Sequence, residues 1–362
     1  MKVVLIGVGQ AGGKVTQRLA EFDYDMDFGA VQGALAVNTA EADLRSLDID
    51  TMLIGRDRVK GHGVGGDNEL GAEIMKDEAT EVMDGLDNRL TTEADAVVVV
   101  AGLGGGTGSG GAPALASELN RIYTEIPVYV LGILPGRDEG AIYQANAGRS
   151  LKTVAREADS LILIDNDAWR SAGESMEEGY AEINESIAQR MGLLFASGEI
   201  DATEEVAESV VDSSEIINTL RPGGMAAVGY ASAKASDDAG ENVNTITSVT
   251  RNALLTGTSV PNVVEAETAL LVVAGKPDRI SRKGVERARS WLEEETGSLQ
   301  VRGGDFPLDS DRIASLVLLG GVERSSRIDE FMERAREAQE NRPEAGGNPA
   351  EAFENEELDD LF

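Results

Sequence analysis

The chain has 362 residues, 65 of them Asp or Glu against 32 Lys or Arg, a formal charge of −33, and no cysteine. A surface of that sign repels nucleic acid and anionic lipid, which excludes a role built on phosphate-backbone binding, and the lack of thiols excludes disulfides and thiolate zinc sites. Only 8 of the basic residues are lysine, and acid excess with lysine poverty reads as adaptation to a high-salt cytosol, where self-repulsion is screened within about 3 Å at molar salt.

No apolar run approaches the roughly 20 residues of a membrane span, and no charged leader precedes a long apolar stretch, so the expected location is cytoplasmic. The single histidine, His62, leaves Ser-His-Asp chemistry without a serious basis; its glycine flanks make it a loop residue. The length is a soft prior for two domains.

In chain order, "KVVLIG", "GALAVNT", "TMLIG", "ADAVVVVAGLG", "IPVYVLGILP" and "SLILIDN" are continuous apolar runs separated by helix-length segments. Runs of this kind predict parallel strands covered on both faces, an α/β Rossmann-type nucleotide-binding domain over residues 1–173. Tyr180, Ile183, Ile187, Met191 and Leu194 then follow helical spacing, which predicts one long helix over 174–198. From 199 to 342 the order is mixed: "GMAAVGYASA", "TALLVVAGKP", "SLQVRGG" and "IASLVLLGG" as strands and 281–296 as a helix, an α+β second domain. A last helix over 325–340 carries Ile328, Phe331, Met332, Ala335 and Ala338 on one face and is expected to dock on the body. Residues 343–362 are rich in Pro, Gly and acid and are expected to be a disordered tail.

Two glycine loops carry the chemistry. The first, "VLIGVGQAGGK", fits G-x-G-x-x-G through Gly7, Gly9 and Gly12, the dinucleotide fingerprint; a P-loop reading through Lys14 fails because Val8 and Val15 stand where that pattern needs Gly and Ser or Thr. The second, "AGLGGGTGSGGAP", runs through Gly104, Gly105, Gly106, Thr107, Gly108, Ser109 and Gly110 between a strand and a helix. Glycines let backbone N–H groups converge on phosphate oxygens, and the helix N-terminus adds its dipole. An NAD-dependent oxidoreductase has no need of a second such loop and expects an acid at the end of the second strand, where Asn38 stands.

"GGGTGSG" resembles the signature loop of the tubulin and FtsZ superfamily, and other segments agree in order over about residues 1–325. "GQAGGK" is similar to its first phosphate loop, which implies nucleotide contacts from Gly9, Gln10, Ala11, Gly12, Gly13 and Lys14, with Gln10 at the position associated with Mg²⁺ and phosphates. "VNTAEADL", around Asn38 and Thr39, resembles the second loop, and "GHGVGGDNELG" the third. "PGRDEG" is similar to the sugar-contacting loop, which puts Glu139 near the ribose. "DNDAW" resembles the segment whose Asn meets guanine, here Asn166 with Asp167 beside it. Tyr180 and Asn184, four apart on one helix face, match the aromatic that stacks on the base and the amide that hydrogen-bonds it. "VVDSSEIINTL" resembles the synergy loop, residues 208–217, that one subunit inserts into its neighbour's site, with Asp212 and Glu215 as its acids.

Within the superfamily the acidic composition, a tubulin-like "GQAG" and an FtsZ-like length resemble the CetZ group of halophilic archaea. The resemblance implies GTP and GDP as ligands with Mg²⁺, a head-to-tail homopolymer whose interfaces complete a GTPase site, and control of cell shape or motility. An FtsZ-type division ring and a non-polymerising nucleotide-binding scaffold are the alternatives. Tyr143 stands where FtsZ has an arginine and Val210 where its synergy loop begins with Asn, departures that bear on turnover and leave binding intact. The tail, ending "LDDLF", is expected to serve a membrane-linked or regulatory adaptor. Truncation after Arg342 should leave both the melting temperature and GDP affinity unchanged, checked by thermal unfolding and nucleotide titration.

Overall fold

The computed structural model describes residues 1–86, 89–169, 176–199 and 211–340. The amino-terminal part alternates β1 (Val3–Val8), α1 (Gly9–Asp25), β2 (Val31–Asn38), α2 (Glu41–Leu44), β3 (Asp50–Leu53), α3 (Arg56–Val59), α4 (Asn68–Asp77), α5 (Ala79–Asp84), β4 (Ala96–Gly102), α6 (Gly106–Ile122), β5 (Val128–Leu134), α7 (Ala141–Glu157) and β6 (Ser160–Asp165). There follow the long α8 (Met176–Ser197), α9 (Ser213–Leu220), β7 (Met225–Lys234), α10 (Asn242–Leu255), β8 (Val263–Gly275), α11 (Arg282–Thr296), β9 (Gln300–Pro307), β10 (Arg312–Ser325) and α12 (Ser326–Glu340).

All ten strands form one sheet in the order β3-β2-β1-β4-β5-β6-β7-β10-β8-β9. The six strands read as parallel from their apolar runs are parallel. The strands expected to build a second domain continue the same sheet. The join is short, with β6 and β7 pairing in parallel only through Leu161 with Met225 and Ile162 with Ala226. Beyond it β10 runs antiparallel to both β7 and β8, and β9 lies parallel to β8 at the far edge.

The sheet separates two cores, and β1 divides its side chains between them: Val4, Ile6 and Val8 enter one, Val3 and Leu5 the other. A strand buried on both faces has no polar alternation to show, which is why these segments read as unbroken apolar runs. Helix α8 lies across the second core with Ile183, Ile187, Met191 and Leu194 buried, while Tyr180, one turn before Asn184, is 39% exposed. Helix α12 docks as its pattern predicts, burying Ile328, Phe331 and Ala335 against the body, with Ala335 over Gly148 of α7.

Backbone contact sets the position of the helices that start near the glycine loops. A Cβ built on Gly12 of α1 would lie 2.2 Å from the Val100 carbonyl oxygen of β4, and one on Gly110 of α6 only 1.9 Å from the Asn68 carbonyl oxygen of α4. In an open helix Gly→Ala gains roughly 0.5–1 kcal/mol. Gly110→Ala should instead lose about 1–3 kcal/mol, because the new methyl meets backbone that cannot rotate away; denaturant unfolding measures the sign.

Candidate functional site

The strand order reverses its direction of growth between β1 and β4, and in open α/β sheets ligands bind beyond the carboxyl ends of the strands at such a switch. Here α1 and α6 begin side by side. Neither has a side chain capping its first turn, and neither carries an acid there, although the chain holds 65. By contrast α4 and α9 are capped by Asp67 and Asp212. The uncapped first-turn N–H groups of α1 and α6 make both ends suited to an anion.

The two loops touch. Gly9 adopts φ +76°, a left-handed conformation that favours glycine, and a Cβ on it would come within 2.9 Å of the Gly108 amide nitrogen. Gln10, Ala11 and Lys14 are exposed on the first turns of α1. Gly12 and Gly13 are buried and face inward, Gly12 onto Val100 and Gly13 onto Leu47. In the second loop Gly105 opens onto free space, whereas a Cβ on Gly104 would meet Tyr143 at 3.2 Å and one on Gly106 would meet Val64. Gly108, Ser109 and Gly110 are buried in the first turns of α6. The Ser109 hydroxyl donates to the Gly105 carbonyl, and the Ser109 carbonyl accepts from the Ser150 hydroxyl at 2.8 Å.

Side chains fix the surrounding loops. Asn38, 2% exposed, accepts from the Thr39 and Ala40 amides at 2.8 and 3.3 Å and donates to Asp43 at 3.0 Å, so its amide shapes the turn after β2. The Thr39 and Thr107 hydroxyls share a buried hydrogen bond of 2.7 Å that ties that turn to the second glycine loop. The loop carrying exposed His62 pairs with it through a bridge between Ala40 and His62. Asn146 of α7 donates to the Gly66 and Gly104 carbonyls at 2.8 and 3.1 Å, joining the third loop to the glycine loop.

At the same edge of the sheet, Glu139 follows β5 and accepts from the Gly136 amide at 2.8 Å, while Asn166 follows β6 and is 9% exposed. Asn166 is flanked by Asp165 and Asp167, which both pair with the buried Arg327 of α12. Sequence reading passed over Arg327, yet a signal existed: an arginine four residues before Phe331 and eight before Ala335 lies on the apolar stripe of its own helix. Asn146 and Arg137 carried no such mark. Tyr143, at the position of the FtsZ arginine, packs on Gly104.

The acid pair lies elsewhere. Asp212 caps α9, accepting from the Glu215 amide at 3.0 Å and the Ser214 hydroxyl at 2.5 Å; the Ser214 bond is the first cause holding its carboxyl below the ordinary aspartate value. Glu215 is half-buried, and its Oε2 has no hydrogen-bond partner. Burial first, then Asp212, push its carboxyl above the ordinary glutamate value, with Arg302 pulling the other way. A Cβ on Gly198 would lie 2.7 Å from the Met1 nitrogen and 3.2 Å from Ser213 Cα. The start of α9 therefore sits beside the amino end of β1, and the phosphate loops sit beyond its carboxyl end. Six residues of strand separate them, about 20 Å. Residues 208–210 of the expected synergy loop, Val210 among them, and the tail from 343 onward lie outside the described residues.

Among the described residues no group of three His, Asp or Glu side chains could hold a metal, and no helix is long and apolar enough to cross a membrane.

Comparison with known proteins agrees with this geometry. Residues 2–174 match the Tubulin/FtsZ family GTPase domain, and residues 173–337 match the C-terminal domain of tubulin-like CetZ. The chain is 66% identical to the tubulin-like protein CetZ2 of Haloferax volcanii over the whole of both chains. The structure of that protein as a GTPγS-bound protofilament superposes with a TM-score of 0.90 over 94% of this chain and 99% of the other. CetZ1 from the same organism, solved as a GDP-bound monomer, is 52% identical with a TM-score of 0.86 over 94% and 100% of the two chains. FtsZ of M. jannaschii, 22% identical, shares the fold with a TM-score of 0.72 over 89% of this chain and 88% of the other. The chain belongs to the tubulin-like CetZ family and carries a Tubulin/FtsZ GTPase domain in its amino-terminal half.

Proposed function

We propose that the protein is a cytoplasmic GTPase that binds GTP or GDP at the carboxyl edge of its sheet and polymerises head to tail, each contact completing the hydrolytic site of one subunit with the acids of the next. The observation that carries this reading is the placement of Asp212 and Glu215 about 20 Å from the glycine loops of their own chain, at the opposite end of β1. A translational copy would bring one end to the other. Such a heterologous contact does not close, and it generates a filament. The GTPγS-bound protofilament of CetZ2 and the GDP-bound monomer of CetZ1 support it. Two units serve the two ends: a GTP-binding part over 1–173 and an activating part over 199–342, joined by the helix of 174–198.

In this mechanism the first-turn amides of α1 and the Gly104–Gly106 segment, open at Gly105, hold the phosphate chain, with Gln10 and Lys14 at its rim and Gly12 and Gly13 fixing where α1 begins. Glu139 reaches the sugar, and Asn166, Asn184 and Tyr180 read and stack the base. Amide and carboxylate oxygens accept from the N1–H and N2 amine of guanine, which adenine lacks. Gln10 would supply an amide oxygen to Mg²⁺, whose other ligands would have to be phosphate oxygens and water, as its preference for few protein ligands allows. Glu215 and Asp212 of the incoming subunit orient and polarise the attacking water. The biological output we assign is control of cell shape or motility.

Sedimentation in molar KCl with GTP and with GDP tests the whole: GTP-dependent pelleting is the expected result, and nucleotide-independent behaviour would reduce the protein to a binding scaffold. In a competition assay GTP and GDP should each displace a labelled guanine nucleotide at concentrations at least tenfold below ATP and ADP; parity between purines would remove the base-reading assignment.

The charge state of Glu215 gives a prediction that separates stability from activity. Its folded value is raised, so the neutral form is favoured by folding; that stabilisation is fully present below the unfolded value and is lost as pH rises from there through the raised folded value. At neutral pH the ionised carboxylate is therefore a cost, and Glu215→Gln should raise the melting temperature at pH 7 with no gain under acid conditions. The same variant should bind GTP normally and hydrolyse it on the order of a hundredfold more slowly. Mixed with a partner whose glycine loop is disabled but whose acids are intact, it should recover hydrolysis. Co-assembly without recovery would mean that the acids do not act across the interface.

A further inference from the structure

We propose that Arg327 is a positioning residue for base recognition: α12 clamps the turn that presents Asn166, so that guanine selectivity is set from the carboxyl-terminal end of the body. The inference rests on the reading of Asn166 as a base contact.

The turn is built from Asp165 outward. Asp165 ends β6 with no exposed surface; its amide donates to the Ser259 carbonyl at 2.8 Å, and its Oδ1 accepts from the Asp167 amide at 3.2 Å. Asn166 is the residue enclosed by that bond, so the carboxylate of Asp165 fixes the backbone from which the Asn166 side chain departs. Arg327 holds this carboxylate at both oxygens, Nε to Oδ2 at 2.7 Å and Nη2 to Oδ1 at 3.2 Å, a bidentate fork that fixes orientation as well as distance. The same Nη2 donates to Asp167 at 3.2 Å, so one guanidinium grips both flanks of Asn166.

A second layer extends the grip to the sugar loop. Asp167 Oδ2 also accepts from the Arg137 amide at 2.9 Å, and Arg137 lies two residues before Glu139. The Arg137 side chain pairs with Glu330 of α12 through two hydrogen bonds of 3.0 and 3.2 Å, and its carbonyl accepts from Arg334 one turn further along. One face of α12 thus reaches the base turn and the sugar loop together.

Stability alone is a poor account of this arrangement. Arg327 is 3% exposed and its Nη1 is buried with no hydrogen-bond partner, so the pair carries a desolvation cost that well-packed apolar residues would avoid. The geometry it fixes is what apolar residues could not supply.

Arg327→Lys, which keeps the charge and loses the fork, and Arg327→Met are compared with the wild type by competition between GDP and ADP, with inorganic triphosphate as a probe of the glycine loops alone. The GDP preference should fall about tenfold or more in Arg327→Lys and further in Arg327→Met, with triphosphate affinity unchanged. A folded variant that keeps the wild-type ratio, or loses affinity for both nucleotides equally, overturns the clamp. A wild type with no GDP preference overturns the base-reading assignment as well. Should neither variant fold, hydrogen exchange of the wild type decides: by reciprocity, GDP must protect amides over 326–331 as well as over 165–168, and protection confined to the turn rules the coupling out.

Discussion

The structure depends on backbone touching backbone at the strand-order reversal. Gly12 on Val100, Gly108 on the Gly102 carbonyl, and Gly9 on Gly108 bring α1 and α6 closer to β1 and β4 than any side chain would allow. That approach aims two uncapped helix ends at a common space and leaves their first amides free for a ligand. The glycines therefore divide into two kinds. Gly12, Gly13, Gly108 and Gly110 are spent on packing and fix where the helices start; Gly9 and Gly105 shape the open surface. Moving one of the first kind displaces the site without touching it.

Much of this was legible in the sequence. Most of the strands and the helices α8, α11 and α12 stood out because burial on both faces, or on one helical stripe, leaves an apolar signature that needs no partner to be recognised, whereas the edge strands β3 and β9 are only partly covered and stood out only as short runs between turn residues. The continuity of the sheet did not stand out. It rests on two residue pairs between β6 and β7, and strand pairing is a long-range choice that no local pattern records. At the site the same divide appears. The glycine loops announced themselves by composition, whereas Asn146, which ties two loops through its amide, and Arg137, which works through its backbone, are ordinary residues whose role exists only once distant segments meet. Arg327 falls between: a charge on an apolar stripe was visible, and its partners were not.

The reading of Asp212 and Glu215 changes character when the fold is known. In a chain with 65 acids two more carboxylates mean little. Their environments differ, one a satisfied helix cap and the other half-buried with an unpartnered oxygen, and two neighbouring carboxyls pushed apart in this way are suited to separate tasks. The cap fixes the start of α9 and so aims the second acid. Retaining a half-buried carboxyl with one oxygen lacking a hydrogen-bond partner costs the isolated subunit stability, the kind of cost that functional groups commonly carry.

The charge of the chain then constrains how such copies could meet. Two bodies of charge −33 repel at any distance that solvent does not screen. At molar salt the screening length is about 3 Å, so repulsion survives only between groups nearly in contact. Under those conditions long-range steering would contribute little to the proposed assembly, and the contact would have to draw its free energy from short-range fit and from a nucleotide held between the subunits. Among the charges at such a contact, phosphates facing Asp212 and Glu215 would be the most strongly opposed, and Lys14 together with the first-turn amides of α1 and α6 is what the fold offers against them. Under the proposed function, loss of the terminal phosphate would remove its contacts with those amides. In the proposed assembly that loss would also relieve the repulsion from Asp212 and Glu215, so hydrolysis would loosen the contact only through the amide contacts it removes.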